Sequence, residues 1–152
     1  MPPPPSISFR LVPNMRQGSG RAVGMLAGHT ELCADVLINL SEKDAKYQRY
    51  SMERWAAGIN GPQSRCHRFD GTDYFVFKDE GKHHRFYGFL YHPLPRTNAS
   101  FLLCVLTTYG NKKEDATNPA DLERVRMWMN APATKAAIKF TYPDDKADKK
   151  DK

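Results

Sequence analysis

Between Lys82 and Lys113 the chain reads KHHRFYGFLYHPLPRTNASFLLCVLTTYGNKK, with two apolar runs, five Lys or Arg, three His and no Asp or Glu. No other stretch restricts the fold as strongly. HRFYGFLYH and ASFLLCVLTT have the length and the aromatic or β-branched content of strands, and the Pro-bearing link between them predicts a turn. Alternation in the first strand places Arg85, Tyr87, Phe89 and Tyr91 on one face and His84, Phe86, Gly88, Leu90 and His92 on the other. The second is apolar on both faces, Phe101, Leu103 and Val105 against Leu102, Cys104 and Leu106, as a central strand covered on each side requires. It runs directly into Tyr109, Lys112 and Lys113. A sheet that carries a guanidinium, phenols and a lysine pair into a region without carboxylates has the pattern of a surface for a polyanion.

The flanking chain predicts what packs on that sheet. ISFRLV alternates Ile7, Phe9 and Leu11 against Ser8, Arg10 and Val12, which suits a half-buried rim strand. A loop is expected next, through GSGRAVG. Its Gly18, Gly20 and Gly24 miss the dinucleotide-binding spacing by one, and no βαβ alternation follows, so turn chemistry is the better reading. From Thr30, a candidate cap, Leu32, Cys33, Val36, Leu37 and Leu40 form a helical stripe. Ser41 with Asp44 three residues on opens a second helix, with Tyr47, Tyr50 and Trp55 facing inward and Gly58 at its end. SRCHRF and DYFVFK then read as strands, the first carrying Arg65, His67 and Arg68, the second ending at Lys78. Turns are expected at Asp70-Gly71 and at Asp79-Glu80-Gly81. Beyond Lys113, Asn118 is a candidate N-cap and Pro119 a first helical residue; Leu122, Val125 and Met129 form the buried stripe, Arg124 and Arg126 point outward, and ATKAAIKF adds a short closing element.

The expected class is therefore α+β: a small antiparallel sheet of about four to five strands, with two N-terminal helices and one C-terminal helix packed on it. A single domain over residues 1–142 is predicted, its first 29 residues an extended strand and loop, followed by a charged tail over 143–152 with no assigned structure. The last nine residues hold four acids and four bases, so the net charge of +6 sits wholly on the folded part. Three scattered cysteines, Cys33, Cys66 and Cys104, with no CxxC, argue against a disulfide framework or a zinc site. MPPPPSISF lacks the parts of a secretory signal and FLLCVL is too short to span a bilayer, so a cytoplasmic chain is expected.

The element order, strand, two helices, several antiparallel strands and a helix, comes with particular words in the second half. They are Phe77-Lys78 closing one strand, Arg85-Phe86-Tyr87 in the next, then the apolar strand, Lys112-Lys113, a polar link, Pro119 and an amphipathic helix. In these features, over about Trp55 to Asn130, the chain resembles the RelE/ParE superfamily of toxins from toxin-antitoxin systems, in particular its HigB-like and phage-encoded branch. Gly110-Asn111 depart from that pattern by separating the strand from the lysine pair.

The resemblance implies an endoribonuclease that cuts messenger RNA, in many members on the ribosome, and that is neutralised by a small antitoxin protein. Such cleavage needs neither metal nor cofactor: the ribose 2′-hydroxyl attacks the adjacent phosphate, and the site must take a proton, stabilise negative charge and return a proton to the leaving oxygen. Arg85 is the candidate for charge stabilisation, since a guanidinium grips two phosphate oxygens and stays charged. Lys78, Lys82, Arg68, Tyr109, Lys112 and Lys113 are candidates for holding RNA. For the proton steps His84, Tyr87 and Tyr91 stand foremost, with His67, His83, His92 and Tyr109 as alternatives. Against this, Arg85 is equally placed to pair with Asp79 or Glu80 across a turn. The competing function is a non-catalytic regulator of phage or mobile-element origin that binds nucleic acid or protein on the same scaffold; gyrase inhibition, as on the ParE side, is a third class.

Overall fold

The two strands of the Lys82–Lys113 stretch are β5 (His84–Tyr91) and β6 (Leu102–Asn111), and they pair antiparallel at the centre of the fold. The computed structural model describes residues 7–12, 20–28, 32–59, 65–69, 71–79, 84–111 and 119–142. Among these, β1 (Ser8–Leu11), β2 (Arg21–Ala27), β3 (Cys66–Arg68) and β4 (Tyr74–Asp79) complete one sheet in the order β1-β2-β6-β5-β4-β3. Four helices accompany it: α1 (Cys33–Asn39), α2 (Glu42–Ala56), α3 (Pro119–Asn130) and α4 (Pro132–Thr141). The α+β class holds. The sheet, however, has six strands rather than four or five and is mixed, because β2 runs parallel to β6, and a fourth helix is present.

Each difference has a local cause. The segment expected as a glycine loop is strand from Arg21 on, since the run from Ala22 to Ala27 is buried throughout and lies between β1 and β6, where it bonds on both sides. ATKAAIKF falls within α4, which Pro132 opens, and Ile138 anchors the helix in the core. In α2, Tyr47 and Tyr50 face out, 38% and 51% exposed, because Ala45, Met52 and Trp55 set the inward phase and bring Gln48 and Ser51 with them. Tyr47 instead lies against the Arg65 guanidinium and Tyr50 against Arg54. Other expectations are met: Ser41 Oγ accepts from the Asp44 backbone N–H at 3.1 Å, Trp55 is buried, and β3, β4 and α3 lie where read. The expected cap residues Thr30 and Asn118, the turn residues Asp70, Glu80 and Gly81, and the tail from Pro143 lie outside the described residues.

Helices cover both faces of the sheet. Cys33, Ala34 and Leu37 of α1 and Ala45, Met52 and Trp55 of α2 pack on Val23, Met25, Phe75, Phe77, Phe86, Cys104 and Leu106. On the opposite face Val125 of α3 and Ile138 of α4, with Leu122 and Met129 beside them, cover Leu26, Val76, Tyr87, Phe89, Leu103 and Val105. The alternation read in β5 is thus correct in register, but both of its faces are lined by helices. No helix of the described residues is long and apolar enough to cross a membrane.

All three cysteines are free and buried in the first of these cores. Burial, and to a lesser degree a neighbouring thiol, pushes Cys33 and Cys104 well above the ordinary thiol range. The thiolate is the reactive form, so both effects slow alkylation. Native protein at pH 8 is expected to resist iodoacetamide while unfolded protein takes up three labels, as counted by mass spectrometry. Prompt labelling of any native thiol would contradict this packing.

Candidate functional site

The end of the sheet where β4 finishes, β5 begins and β6 finishes collects the polar groups that β-strand cores usually exclude. Register sets Lys78 opposite Arg85, Asp79 opposite His84, Arg85 opposite Gly110 and His84 opposite Asn111. Because side chains alternate, Asp79, His84 and Tyr109 lie toward α1 and α2, whereas Lys78, Arg85 and Tyr87 lie toward α3.

On the α2 side His84 bridges two elements distant in sequence. Its Nδ1 is 2.6 Å from the Tyr109 hydroxyl and its Nε2 is 3.1 Å from Asp44 Oδ2, with the His84 and Asp44 side chains only 11% and 14% exposed. An ionised Asp44 can only accept, so Nε2 carries a hydrogen. In the neutral ring Nδ1 is then the acceptor and Tyr109 O–H donates to it; in the protonated ring both nitrogens donate. Asp44 therefore orients the imidazole, and the imidazole is placed to take or return the phenol proton, the carboxylate–imidazole–hydroxyl logic of activated nucleophiles. The ring of Tyr109 is held edge-on by Phe86, at 5.4 Å between centroids.

The α3 side is closed. Arg85 is 7% exposed and Tyr87 is fully buried, and neither is without a partner. Asp121, in the first turn of α3 and itself 5% exposed, accepts from Arg124 Nη2 at 3.0 Å. Its carboxylate lies so close over β6 that a methyl group at Gly110 would sit 2.9 Å from Oδ2 and 3.2 Å from the Tyr87 ring. Gly110, which departs from the toxin pattern, thus has a packing reason: it lets α3 settle over Arg85 and Tyr87. The expected open face bearing Arg85, Tyr87 and Tyr91 is corrected accordingly. The first two lie in the interior, since Val125 and its neighbours of α3 need an apolar floor and Tyr87 supplies it.

The remaining candidates divide by position. Lys78 is half-buried at the same sheet end, on the face opposite His84. Tyr91 and Arg68 are exposed at the other end of the sheet; Tyr91 lies six positions beyond Arg85 along the strand, about 20 Å at the usual rise per residue. Lys82, Lys112, Lys113 and His83 lie outside the described residues. His67 stacks on Phe69 at 4.9 Å, and His92 Nδ1 lies 3.0 Å from the Phe101 carbonyl oxygen. Among the described residues no three His, Cys, Asp or Glu side chains converge as metal ligands would.

Asp44 is the functional candidate that sequence reasoning missed, having been absorbed into the capping of α2. A signal existed: Asp44, Gln48 and Ser51 fall at helical spacing on the stripe that continues to Trp55, polar groups where apolar ones belong. No protein-family model, no curated protein and no solved structure matches the chain.

Proposed function

We propose that the chain is a toxin of the toxin-antitoxin kind that cleaves messenger RNA, free or ribosome-bound, with Asp44, His84 and Tyr109 as its proton relay. The observation that carries this reading is the continuous hydrogen-bonded chain from the Asp44 carboxylate through His84 to the Tyr109 hydroxyl. Lys78 shares its sheet end, and in the sequence Lys82 precedes His84 and Lys112 and Lys113 follow Tyr109 closely. The Tyr109 oxygen takes the 2′-hydroxyl proton as its own proton passes to His84 Nδ1. The 2′-oxygen then attacks phosphorus and the bond to the 5′-oxygen breaks. The imidazolium, steadied by Asp44, returns its proton through the same phenol to the leaving oxygen, and a 2′,3′-cyclic phosphate and a 5′-hydroxyl result. Lys78, Lys82, Lys112 and Lys113 hold the phosphates in this scheme, and Arg85 acts as a positioning residue beneath α3. An antitoxin would act by covering the His84 end of the sheet.

The test is incubation of purified protein with messenger RNA, with and without ribosomes, in EDTA. Cleavage with cyclic-phosphate and 5′-hydroxyl ends is expected, weakening as salt rises because each phosphate-bound lysine releases counterions. Intact RNA under all conditions would end the enzymatic reading.

A non-catalytic regulator is the second reading, and one observation favours it: Arg85, the strongest candidate for transition-state charge, is buried. That reading requires salt-sensitive RNA or DNA binding without turnover, measured by filter retention at several salt concentrations.

A further inference from the structure

Far from His84, where β4 and β5 meet the joint between α3 and α4, a cavity of about 230 Å³ opens between Phe89, Leu90, Tyr91, Met129 and Ile138, with Asp73, Asn130 and Lys135 at its polar edge. Its wall includes Thr134, whose side chain is fully buried and whose hydroxyl meets no hydrogen-bond partner among the described residues. Sharing Asp73, Leu90 and Tyr91 with it is a second, more polar cleft of about 440 Å³ bordered by Arg68, His92 and Ser100. Together the two reach the few hundred Å³ over which small-molecule sites extend.

We propose that this double cleft binds one nucleotide, its base in the apolar cavity and its phosphate toward Arg68. Chemistry selects the occupant. The Leu90, Met129 and Ile138 walls and the exposed Tyr91 ring favour a flat aromatic body. A plain hydrocarbon ring offers nothing to the Asp73 carboxylate and the Asn130 amide at the polar edge, whereas a heterocycle with ring nitrogens and exocyclic groups can hydrogen-bond both. On the cleft side Arg68 is held by its Nε, which donates to the Thr72 carbonyl oxygen at 2.6 Å, and among the described residues its one ion pair is a long 3.8 Å contact with an exposed Asp73. That leaves the outer guanidinium nitrogens for an anion. Naming the ligand a nucleotide rests on the RNA reading above, and the cavity then reads a base several nucleotides from the cleaved bond, given the separation of about 20 Å along β5.

The experiment titrates the full chain with AMP, GMP, CMP and UMP, their nucleosides, inorganic phosphate, phenylalanine and indole, following amide chemical shifts of Tyr91, Thr134 and Lys135. At least one nucleotide is expected to saturate these shifts. Asn130→Ala, at an exposed position of the polar edge, is expected to weaken it about fivefold by removing one hydrogen bond. Arg68→Ala, at an exposed position, is expected to weaken the nucleotide but not its nucleoside. Overturning results are no shift at these amides with any nucleotide at millimolar concentration, wild-type affinity in Asn130→Ala, or saturation by phosphate, phenylalanine or indole in place of nucleotides. His84→Ala is expected to bind the nucleotide as wild type does, so failure of this site and failure of RNA cleavage are read separately.

Discussion

Gly88→Ala is expected to lose at least about 3 kcal/mol of stability, near the upper end of what overpacking costs, because the obstacle is backbone. Gly88 sits where the β5–β6 ladder shifts register, pairing with Leu106 after Tyr87 has paired with Thr108. The extra residue in β6, Thr107, is a bulge that swings its backbone toward β5. An added methyl group would land on the Val105 carbonyl oxygen and lie 2.7 Å from Leu106 Cα. Neither atom can rotate away as a side chain would, so relief requires β5 and β6 to part in the middle of the sheet. For a domain of this size the loss corresponds to a melting temperature lower by about 6–12 °C, read by circular dichroism. A variant that melts within about 2 °C of wild type would show that the bulge is not built as described.

His84→Ala carries the second large effect, and it falls on activity. The imidazole touches both Asp44 and Tyr109, so its removal breaks the relay at its centre. General acid–base groups contribute about 100- to 10,000-fold to rate, and a loss in that range in RNA cleavage is expected. Stability should change less than activity, although the partly buried Asp44 loses its contact with His84. Asp44→Asn separates the roles: an amide can still hold the ring, but it carries no charge to steady the imidazolium, so cleavage should fall while the melting temperature stays near that of wild type. Equal cleavage by wild type and His84→Ala would remove the relay from the mechanism.

Much of the fold was legible in the chain because its signals are local. Alternation placed Arg85 and Tyr87 on one face of β5 and His84 on the other, and Ser41 and Pro119 announced two helices. Alternation does not say which face a helix will cover, since that depends on distant partners such as Val125. For that reason the guanidinium read as solvent-facing lies beneath α3. The parallel pairing of β2 with β6 joins residues some eighty positions apart, and glycines at the start of β2 masked an apolar run that only its neighbours make a strand. Asp44 was hidden differently: a capping residue explains its presence, and nothing in the sequence connects it with His84 forty positions on.

The relay is tested most directly by Tyr109→Phe, which removes one oxygen atom and leaves the ring against Phe86. Under single-turnover conditions in EDTA, with excess protein over RNA, the cleavage rate is expected to fall at least about a hundredfold at an unchanged melting temperature. A Tyr109→Phe rate within about twofold of wild type would contradict proton transfer through the phenol and place the chemistry elsewhere on the molecule.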